Sequence, residues 1–349
     1  MKAMVLTAPG QPFQLINVPD PTPNEGEAVA KVLTCGAGLT IQHIRAGRTK
    51  VDYPRIIGHE ITAEIVALGS GVTNLNVGDP VTAYYYLTCG ECRWCLIDRE
   101  TLCDKFSGYV GKSIDGGYAE FIKLPANNFL RLPKNLDHKK YAAELGVITD
   151  AIATPIKVTK KTRMKTDDVV AIIGAGGGLG LHMVMAAVWA GAKVIAIDIN
   201  DNKLKTCSEA GAFETINVSN VNLTEALLAL TGGDGVDVVT DFVANDKTLY
   251  DSISSLGKGG RLAILGGGGV ANPVALSGDW VKSREIEILG SKYATKNEVL
   301  YALDVVSRGE IWPKVTETCL LKDAEIMHQK IESGLVIGRA AIIIDQSLS

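Results

Sequence analysis

Four cysteines lie close together in the first third of the chain. Cys89, Cys92 and Cys95 are separated by two residues each, and Cys103 follows after seven more. Four thiolates at this spacing match the ligands of a closed, tetrahedral structural zinc site. The other interpretations are two disulfides or four unrelated thiols. We disfavour both because the sequence has no secretory features and because the C-x2-C spacing suits a metal.

A glycine-rich segment runs from Gly174 to Gly180. Gly174, Gly177 and Gly180 form a G-x-x-G-x-x-G pattern, one residue longer than the strict dinucleotide-binding G-x-G-x-x-G. The segment lies between a predicted strand and a predicted helix. Bare backbone there lets a pyrophosphate approach the unpaired N–H groups at the helix N-terminus. The alternative is a turn that only permits tight packing.

Asp198 stands at the end of the next apolar stretch, at about the distance expected for a carboxylate that binds the adenosine ribose. Such a carboxylate accepts hydrogen bonds from the ribose hydroxyls and repels a 2′-phosphate. The sequence therefore predicts NAD(H) rather than NADP(H) as the cofactor. An ordinary N-cap or turn aspartate is the alternative interpretation of this residue.

The elements that must position these groups differ between the two parts of the chain. Up to about residue 150 the sequence is β-rich, and turn residues separate strands predicted at Glu27–Leu33, Thr62–Leu68, Pro80–Tyr85 and Tyr118–Leu124. No stretch in this part fits a crossover helix, so we expect an antiparallel, barrel-like domain.

From about residue 167 predicted strands and helices alternate, which is typical of a doubly wound parallel sheet. The predicted fold class is therefore α/β. The expected strands are Val169–Ile173, Lys193–Ile197, Val236–Thr240 and Arg261–Leu265, with helices at Leu181–Ala190 and Lys247–Leu256. The remainder reads as helices at Asn297–Ser307 and Asp323–Ser333 and a closing strand at Ala340–Ile344.

Length and composition set broad limits on the function. The 349 residues are too many for one ordinary core, so we expect two domains. A net charge of −4 gives no electrostatic reason to expect nucleic acid or an anionic membrane as a partner, and no apolar run has the length of a membrane span. Seven cysteines, four of them in one cluster, fit a reducing compartment, and we expect a cytoplasmic location.

Over essentially its whole length the sequence resembles the zinc-containing alcohol dehydrogenases of the medium-chain dehydrogenase/reductase family. The resemblance is carried by Gly58-His59-Glu60, the cysteine cluster, the glycine turn and the stretch from Asp198 to Lys203. It implies a GroES-like β-barrel catalytic domain over residues 1–150 with a structural-zinc lobe at 89–103, a Rossmann NAD-binding domain over 151–290, and a C-terminal return to the catalytic domain over 291–349.

The resemblance also implies a set of cofactor contacts. Thr154 matches the threonine that packs against the nicotinamide, Lys203 a second ribose contact, and Arg339 the arginine that reaches the pyrophosphate. The complete set of expected cofactor-binding residues is Thr154, Gly174, Gly177, Gly178, Leu179, Gly180, Asp198, Lys203, Gly266 and Arg339.

A second, catalytic zinc is implied as well, but the sequence departs from the family pattern at two positions. Gly38 stands where the family has its first ligand cysteine, and Ile41 replaces the aspartate that orients the ligand histidine. His59 matches the ligand histidine, and Asp150 matches the third ligand in its carboxylate form. Loss of an orienting partner alone typically costs roughly 10–100-fold in metal affinity or activity. Whether a catalytic zinc binds at His59, Glu60 and Asp150 is therefore left open by the sequence.

The proton path of the family is better preserved. Thr40 and His43 match the hydroxyl and the histidine that carry the alcohol proton through the nicotinamide ribose to solvent, a task that suits a group with a pKa near neutrality. An exposed loop position is the alternative for His43. With His59 and Asp150 these residues are the expected catalytic set. The remaining histidines are expected to be structural: His138, His182 and His328.

The implied activity is hydride transfer between NAD(H) and a small-molecule alcohol, ketone or aldehyde, in a homodimer or homotetramer. A reductase of activated C=C bonds, without zinc at the active site, is the alternative, since weaker polarisation suits conjugated substrates. A non-catalytic NAD-binding protein is a third hypothesis. On this view two zinc ions per chain indicate the dehydrogenase and one indicates the reductase.

Overall fold

The computed structural model describes residues 1–267 and 276–348 of the chain. The fold divides into two compact units. Unit 1 comprises Met1–Ala153 together with Ala294–Ser349, and unit 2 comprises Thr154–Tyr293. The two ends of the chain therefore belong to the same unit, and the boundaries lie about three residues beyond those expected from the sequence.

The first part of unit 1 consists of strands and short helices. Its strands are β1 (Lys2–Leu6), β2 (Gln14–Asn17), β3 (Glu27–Ala37), β4 (Arg55–Ile56), β5 (Ile61–Leu68), β6 (Pro80–Ala83), β7 (Tyr86–Leu87), β8 (Gly108–Tyr109), β9 (Phe121–Pro125) and β10 (Phe129–Arg131). Its helices are α1 (Leu39–Arg45), which the sequence analysis did not predict, and α2 (Ala142–Val147), which continues into a π-helical turn at Ile148–Ile152.

Unit 2 alternates strands and helices from its first residues onward. Its helices are α3 (Ala153–Lys161), α4 (Gly178–Trp189), α5 (Asp201–Glu209), α6 (Leu223–Leu230), α7 (Asp246–Ser254) and α8 (Gly278–Arg284). Its strands are β11 (Val169–Ile173), β12 (Lys193–Asp198), β13 (Glu214–Asn217), β14 (Val236–Asp241), β15 (Leu256–Ile264) and β16 (Glu287–Gly290).

The strands of unit 2 form one parallel sheet in the order β13-β12-β11-β14-β15-β16. Counted within the unit this order is 3-2-1-4-5-6, the arrangement of doubly wound dinucleotide-binding sheets. The apolar strands β11 and β12 contribute Ala171, Ile173, Ile195 and Ile197 to a buried core that also contains Leu223 and Leu227 of α6. The strand order reverses at β11. The glycine segment directly follows β11, so it lies at the carboxyl end of the sheet, where such sheets bind ligands.

The last part of the chain completes unit 1. It contains α9 (Lys296–Ser307), β17 (Val315–Leu320), α10 (Ala324–Glu332) and β18 (Arg339–Ile343). These strands join a sheet in the order β10-β6-β5-β3-β18-β17, in which β9 also pairs with β3. β18 runs antiparallel to β3, with Ala340 opposite Ala37, so the start of β18 lies beside Gly38.

The predicted fold class is confirmed. The pairings among β3, β5, β6, β9 and β10 are antiparallel, as expected for the first part of the chain. The parallel sheet of unit 2 is the predicted doubly wound α/β structure. Among the described residues, the helices are all too short or too polar to cross a bilayer.

Candidate active site and metal sites

The four clustered cysteines lie in the loop between β7 and β8, where two short 3-10 turns bring their side chains together. Their sulfur atoms are 3.5–3.9 Å apart in the pairs Cys89–Cys95, Cys92–Cys95, Cys92–Cys103 and Cys89–Cys103. A tetrahedral zinc with Zn–S bonds of about 2.3 Å separates its sulfurs by about 3.8 Å. The observed spacing therefore fits one zinc ion without rearrangement.

The sulfurs of the cluster do not ionise alike: burial raises the pKa of Cys95 to about 12, whereas the pKa of Cys92 is lowered. Hydrogen bonding from the Cys95 backbone N–H lowers the pKa of Cys92 to about 6, which makes this sulfur a thiolate at neutral pH. All seven cysteines of the chain are free of disulfides. A thiolate is the form that binds zinc, so the cluster offers its first ligand already ionised.

A second group of potential ligands lies in the interior of unit 1. His59 and Glu60 precede β5, and Asp150 lies in the π-helical turn after α2. One ligand atom from each of these three residues lies within 4.8 Å of the others, and all three side chains are buried. The ring of Tyr85 packs against His59 with centroids 4.2 Å apart and an interplanar angle of 42°. The structure thus brings together the three residues that the sequence suggested for a catalytic metal.

A fourth residue joins this group, and its position was not predicted. Arg339, the first residue of β18, donates hydrogen bonds from Nη2 to Oε1 of Glu60 and to Oδ2 of Asp150, the latter at 2.7 Å. Only 5% of the Arg339 surface is exposed, against 0% for Glu60 and 3% for Asp150. The two carboxylates therefore share one buried guanidinium. The contact expected between Arg339 and a cofactor pyrophosphate stays a prediction.

Burial sets the protonation of the neighbouring groups. Desolvation raises the pKa of Glu60 to about 8, although Arg339 acts in the opposite direction. Desolvation lowers the pKa of His59 to about 4, so this imidazole is neutral at physiological pH. Oε2 of Glu60 is buried and makes no hydrogen bond in the described part of the chain. A proton on that oxygen would relieve the excess negative charge of the group.

The residues present do not fit a catalytic zinc beside Arg339. One oxygen of each carboxylate, Oε1 of Glu60 and Oδ2 of Asp150, already accepts a hydrogen bond from Nη2. Gly38 supplies no thiolate, and an ideal Cβ built on it would overlap Nη1 of Arg339. The guanidinium thus occupies the space next to the position of the missing ligand.

The expected proton path begins on α1, whose N-cap is Gly38. Thr40 and His43 are three residues apart on this helix and share a face. Nδ1 of His43 accepts a hydrogen bond from Nε of Arg48 at 2.8 Å, and Arg48 forms a two-pronged ion pair with Glu332 at 2.7 Å. Burial and the Arg48 charge lower the pKa of His43. His43 is therefore a partly buried helix residue in its neutral form, and the exposed-loop alternative is wrong.

A hydrogen-bonded chain continues from Glu332 into the core of unit 1. Gln42 donates to Glu332 at 2.7 Å and contacts Nδ1 of His328 at 2.9 Å through its Oε1. Nε2 of His328 lies 2.8 Å from the hydroxyl of Tyr118. Burial lowers the pKa of His328 to about 3, so it is a neutral structural histidine, as predicted. No local pattern in the sequence indicated a role for Arg48, Gln42 or Glu332.

The glycine turn in unit 2 has the geometry of a phosphate site. Gly174 has a φ of +77°, which favours glycine, and Gly177 is the N-cap of α4 without a side-chain cap. The first N–H groups of α4 are therefore open to an anion. A Cβ on Gly180 would overlap the carbonyl oxygen of Gly174, so this glycine permits close packing of helix and strand.

The predicted ribose-binding residues converge on the same turn. Oδ2 of Asp198, at the end of β12, accepts a hydrogen bond from the backbone N–H of Gly176 at 2.9 Å. A Cβ on Gly176 would lie 3.0 Å from that oxygen and would overlap the Cβ of Lys203. Gly176, which the sequence analysis left out of the binding set, is thus enclosed by both side chains.

The remaining cofactor candidates are also placed within unit 2. Gly178 and Leu179 begin α4, and Thr154 is buried near the start of α3. Gly266 follows β15, where a Cβ would lie 2.6 Å from the carbonyl oxygen of Phe242. Contacts of these residues with a dinucleotide stay predictions.

Two family models match the chain. The model described as "Alcohol dehydrogenase GroES-like domain" covers residues 24–134, and the model described as "Zinc-binding dehydrogenase" covers residues 178–308. An alcohol dehydrogenase from Geobacillus stearothermophilus is 32% identical over 98% of this chain and 98% of its own length. The chain belongs to the zinc-type alcohol dehydrogenase family.

Other members of the alcohol dehydrogenase family extend the comparison. An L-threonine 3-dehydrogenase from Streptomyces coelicolor is 30% identical over 96% of this chain and 97% of its own length. A crystal structure of an NAD-dependent alcohol dehydrogenase superposes with a TM-score of 0.88 at 28% identity, covering 99% of this chain and all of that one. The predicted family is confirmed, and these relatives do not favour the C=C reductase alternative.

Proposed function

We propose that this chain is an NAD(H)-dependent oxidoreductase that interconverts an alcohol with its ketone or aldehyde. The convergence of Asp198 and Lys203 on Gly176, at the reversal point of the parallel sheet, is the observation that carries the proposal. Membership of the alcohol dehydrogenase family supports the reaction class. The names of these relatives indicate different substrates, so a panel of alcohols is needed to identify the particular substrate.

The residues of the glycine turn fit a pyridine dinucleotide. The open N-terminus of α4 would hold the pyrophosphate, and Asp198 with Lys203 would bind the adenosine ribose. Thr154, Gly178, Leu179 and Gly266 complete the proposed set. The cofactor supplies the hydride chemistry, and the protein supplies binding and orientation.

Unit 1 would supply the proton chemistry. Oxidation of an alcohol releases one hydride and one proton, and Thr40 and His43 are the groups proposed to carry that proton. His43 is neutral and is held in one orientation by Arg48. A neutral imidazole can accept a proton, and His43 would do so at Nδ1 when Arg48 moves away from that nitrogen.

The cysteine cluster is proposed to hold one structural zinc. Cys89, Cys92, Cys95 and Cys103 would be its four ligands, at the sulfur spacing described above. All four positions of the metal would then be filled by protein. Its contribution is to close the loop between β7 and β8, and it would take no part in the reaction.

We also infer the setting in which the enzyme works. The substrate is a small molecule, the protein binds neither nucleic acid nor membrane, and the subunits assemble as a homodimer or homotetramer. The seven free cysteines support a reducing, cytoplasmic compartment. Size-exclusion chromatography with light scattering tests the oligomeric state, and a monomer would contradict it.

A titration and a substrate panel test the activity. We expect NADH to quench the intrinsic fluorescence of the protein and NADPH to do so only at much higher concentration. We then expect NAD⁺-dependent oxidation of at least one member of a panel of primary alcohols, secondary alcohols and L-threonine. Tight NADH binding without turnover of any alcohol, ketone, aldehyde or enone would instead support a non-catalytic NAD-binding protein.

A further inference from the structure

One buried cation in unit 1 stands where the family resemblance implies a metal. Nη2 of Arg339 bridges Oε1 of Glu60 and Oδ2 of Asp150, and His59 lies beside the two carboxylates. The guanidinium is almost wholly shielded from water. A metal ion bound by both carboxylates would join these two side chains in a similar way.

Arg339 also occupies the space beside Gly38. An ideal Cβ on Gly38 would overlap Nη1 of Arg339 and lie 3.0 Å from its Cζ. The backbone of Gly38 does not itself demand glycine, because its φ of −141° and ψ of 177° suit any residue. The guanidinium is therefore what excludes a side chain at position 38. The excluded side chains include that of the ligand cysteine in the family pattern.

A zinc ion and this guanidinium would compete for the same ligands. Catalytic zinc usually takes three protein ligands with bonds of about 2.0–2.3 Å. Oε1 of Glu60 and Oδ2 of Asp150 already accept hydrogen bonds from Arg339. A divalent cation placed between them would also meet the positive guanidinium within a few ångströms in a medium that screens charge poorly.

We propose that the Arg339 guanidinium takes the place of the catalytic zinc in this chain, so that the protein binds a single zinc ion, at the cysteine cluster. The guanidinium offsets negative charge on Glu60 and Asp150 and fills the volume beside Gly38. This proposal deepens the proposed function, because Arg339 then supplies the positive charge at this position of the active site. One zinc per chain would consequently not indicate a C=C reductase.

Metal analysis of the wild-type protein tests the proposal without any assay of activity. The protein is dialysed against excess zinc and then against buffer, and its zinc content is measured by mass spectrometry. We expect one zinc per chain. Two zinc ions per chain would overturn the proposal. NADH binding measured on the same sample keeps the two hypotheses apart, since loss of binding would contradict the proposed function and leave the metal count informative.

A gain of metal is the second test. The double variant Gly38→Cys/Arg339→Ala restores a thiolate and removes the guanidinium, and we expect it to hold two zinc ions per chain. The matched control is Arg261→Ala, which breaks a buried ion pair with Asp168 in unit 2 and should still bind one. A folded double variant that binds only one zinc would show that the guanidinium is not what excludes the metal.

Because the double variant leaves two buried carboxylates without their cation, a milder variant provides a third test. Gly38→Ala introduces only the Cβ that overlaps Nη1, and we expect it to lower the Tm by more than about 3 °C. Gly290→Ala is the control, since no atom lies within 4 Å of a Cβ there and no positive φ is recorded. Equal Tm values for the two variants would overturn the proposed occupation of this space by Arg339.

Discussion

Nε of Arg48 donates a hydrogen bond to Nδ1 of His43 across 2.8 Å, so a cation is held directly against the imidazole proposed to carry the substrate proton. Glu332 holds Arg48 from the other side with two contacts of 2.7 Å. A protonated Nδ1 would have to face the guanidinium N–H, which is unfavourable. Two residues that are distant in sequence thus control the protonation of His43.

Arg48→Gln is expected to raise the pKa of His43. The pKa of the wild-type imidazole is lowered by burial and by the Arg48 charge, while Glu332 acts in the opposite direction. Removing the cation leaves the carboxylate and should raise the pKa of His43. The acid limb of kcat/KM should move to higher pH by the same amount, because the neutral imidazole is the active form. The control variant Arg308→Gln removes a surface ion pair at the end of α9 and should leave the pH profile of kcat/KM unchanged. A pH profile that Arg48→Gln does not alter would contradict the proposed role of Arg48.

Glu332→Gln should remove a pH-dependent contribution to stability. Hydrogen bonds from Arg48 and Gln42 lower the pKa of Glu332 to about 2. A lowered folded-state pKa stabilises the protein above the unfolded value of about 4.3, and this stabilisation is lost as the pH falls through about 2. Since 43% of this side chain is exposed, we expect a loss of only about 0.5–1 kcal/mol at pH 7. Chemical unfolding at pH 7 and pH 3 checks this, and a difference between wild type and variant that is undiminished at pH 3 would be inconsistent with it.

Asp198→Ala should weaken NADH binding and improve the relative binding of NADPH. The carboxylate is proposed to accept hydrogen bonds from the ribose, and bonds to a charged group are worth about 1.5–3 kcal/mol, or roughly 10–150-fold in affinity. Isothermal titration with both cofactors measures the change. Asp279→Ala, an exposed aspartate of α8, is the control. Unchanged NADH affinity in the Asp198 variant would remove this residue from the cofactor site.

Cys92→Ser should release the structural zinc and lower thermal stability. Three remaining sulfurs cannot complete the closed tetrahedral site, and such sites contribute directly to folding. We expect the zinc content to fall from one per chain towards zero and the Tm to decrease. Cys319→Ser, outside the cluster, should keep its zinc. Full zinc retention by the Cys92 variant would exclude this cysteine as a ligand.

Much of unit 2 could be predicted because its signals are local. The apolar run Val169–Ile173 and the glycines that follow it lie in one continuous stretch, and β11 and α4 occur there within a few residues of the expected bounds. The short edge strand β13 was missed, since four residues without alternating burial give little pattern.

The active-site elements of unit 1 were harder to predict. Helix α1 has only seven residues, and its N-cap Gly38 makes no side-chain cap, so neither length nor capping revealed it. The cluster around Arg339 joins residues 279 and 189 positions apart, and the Arg48–Glu332 pair joins residues 284 apart. Such contacts depend on how β18 and α10 return to the first part of the chain. No local sequence pattern indicates these long-range contacts.

Transfer of deuterium from the cofactor tests the central claim most directly. The protein is incubated with NADH that carries deuterium at C4 and with a panel of ketones and aldehydes, and the products are examined by mass spectrometry. The account predicts an alcohol with one deuterium on its carbinol carbon. Bound NADH that delivers no deuterium to any carbonyl compound of the panel would contradict it.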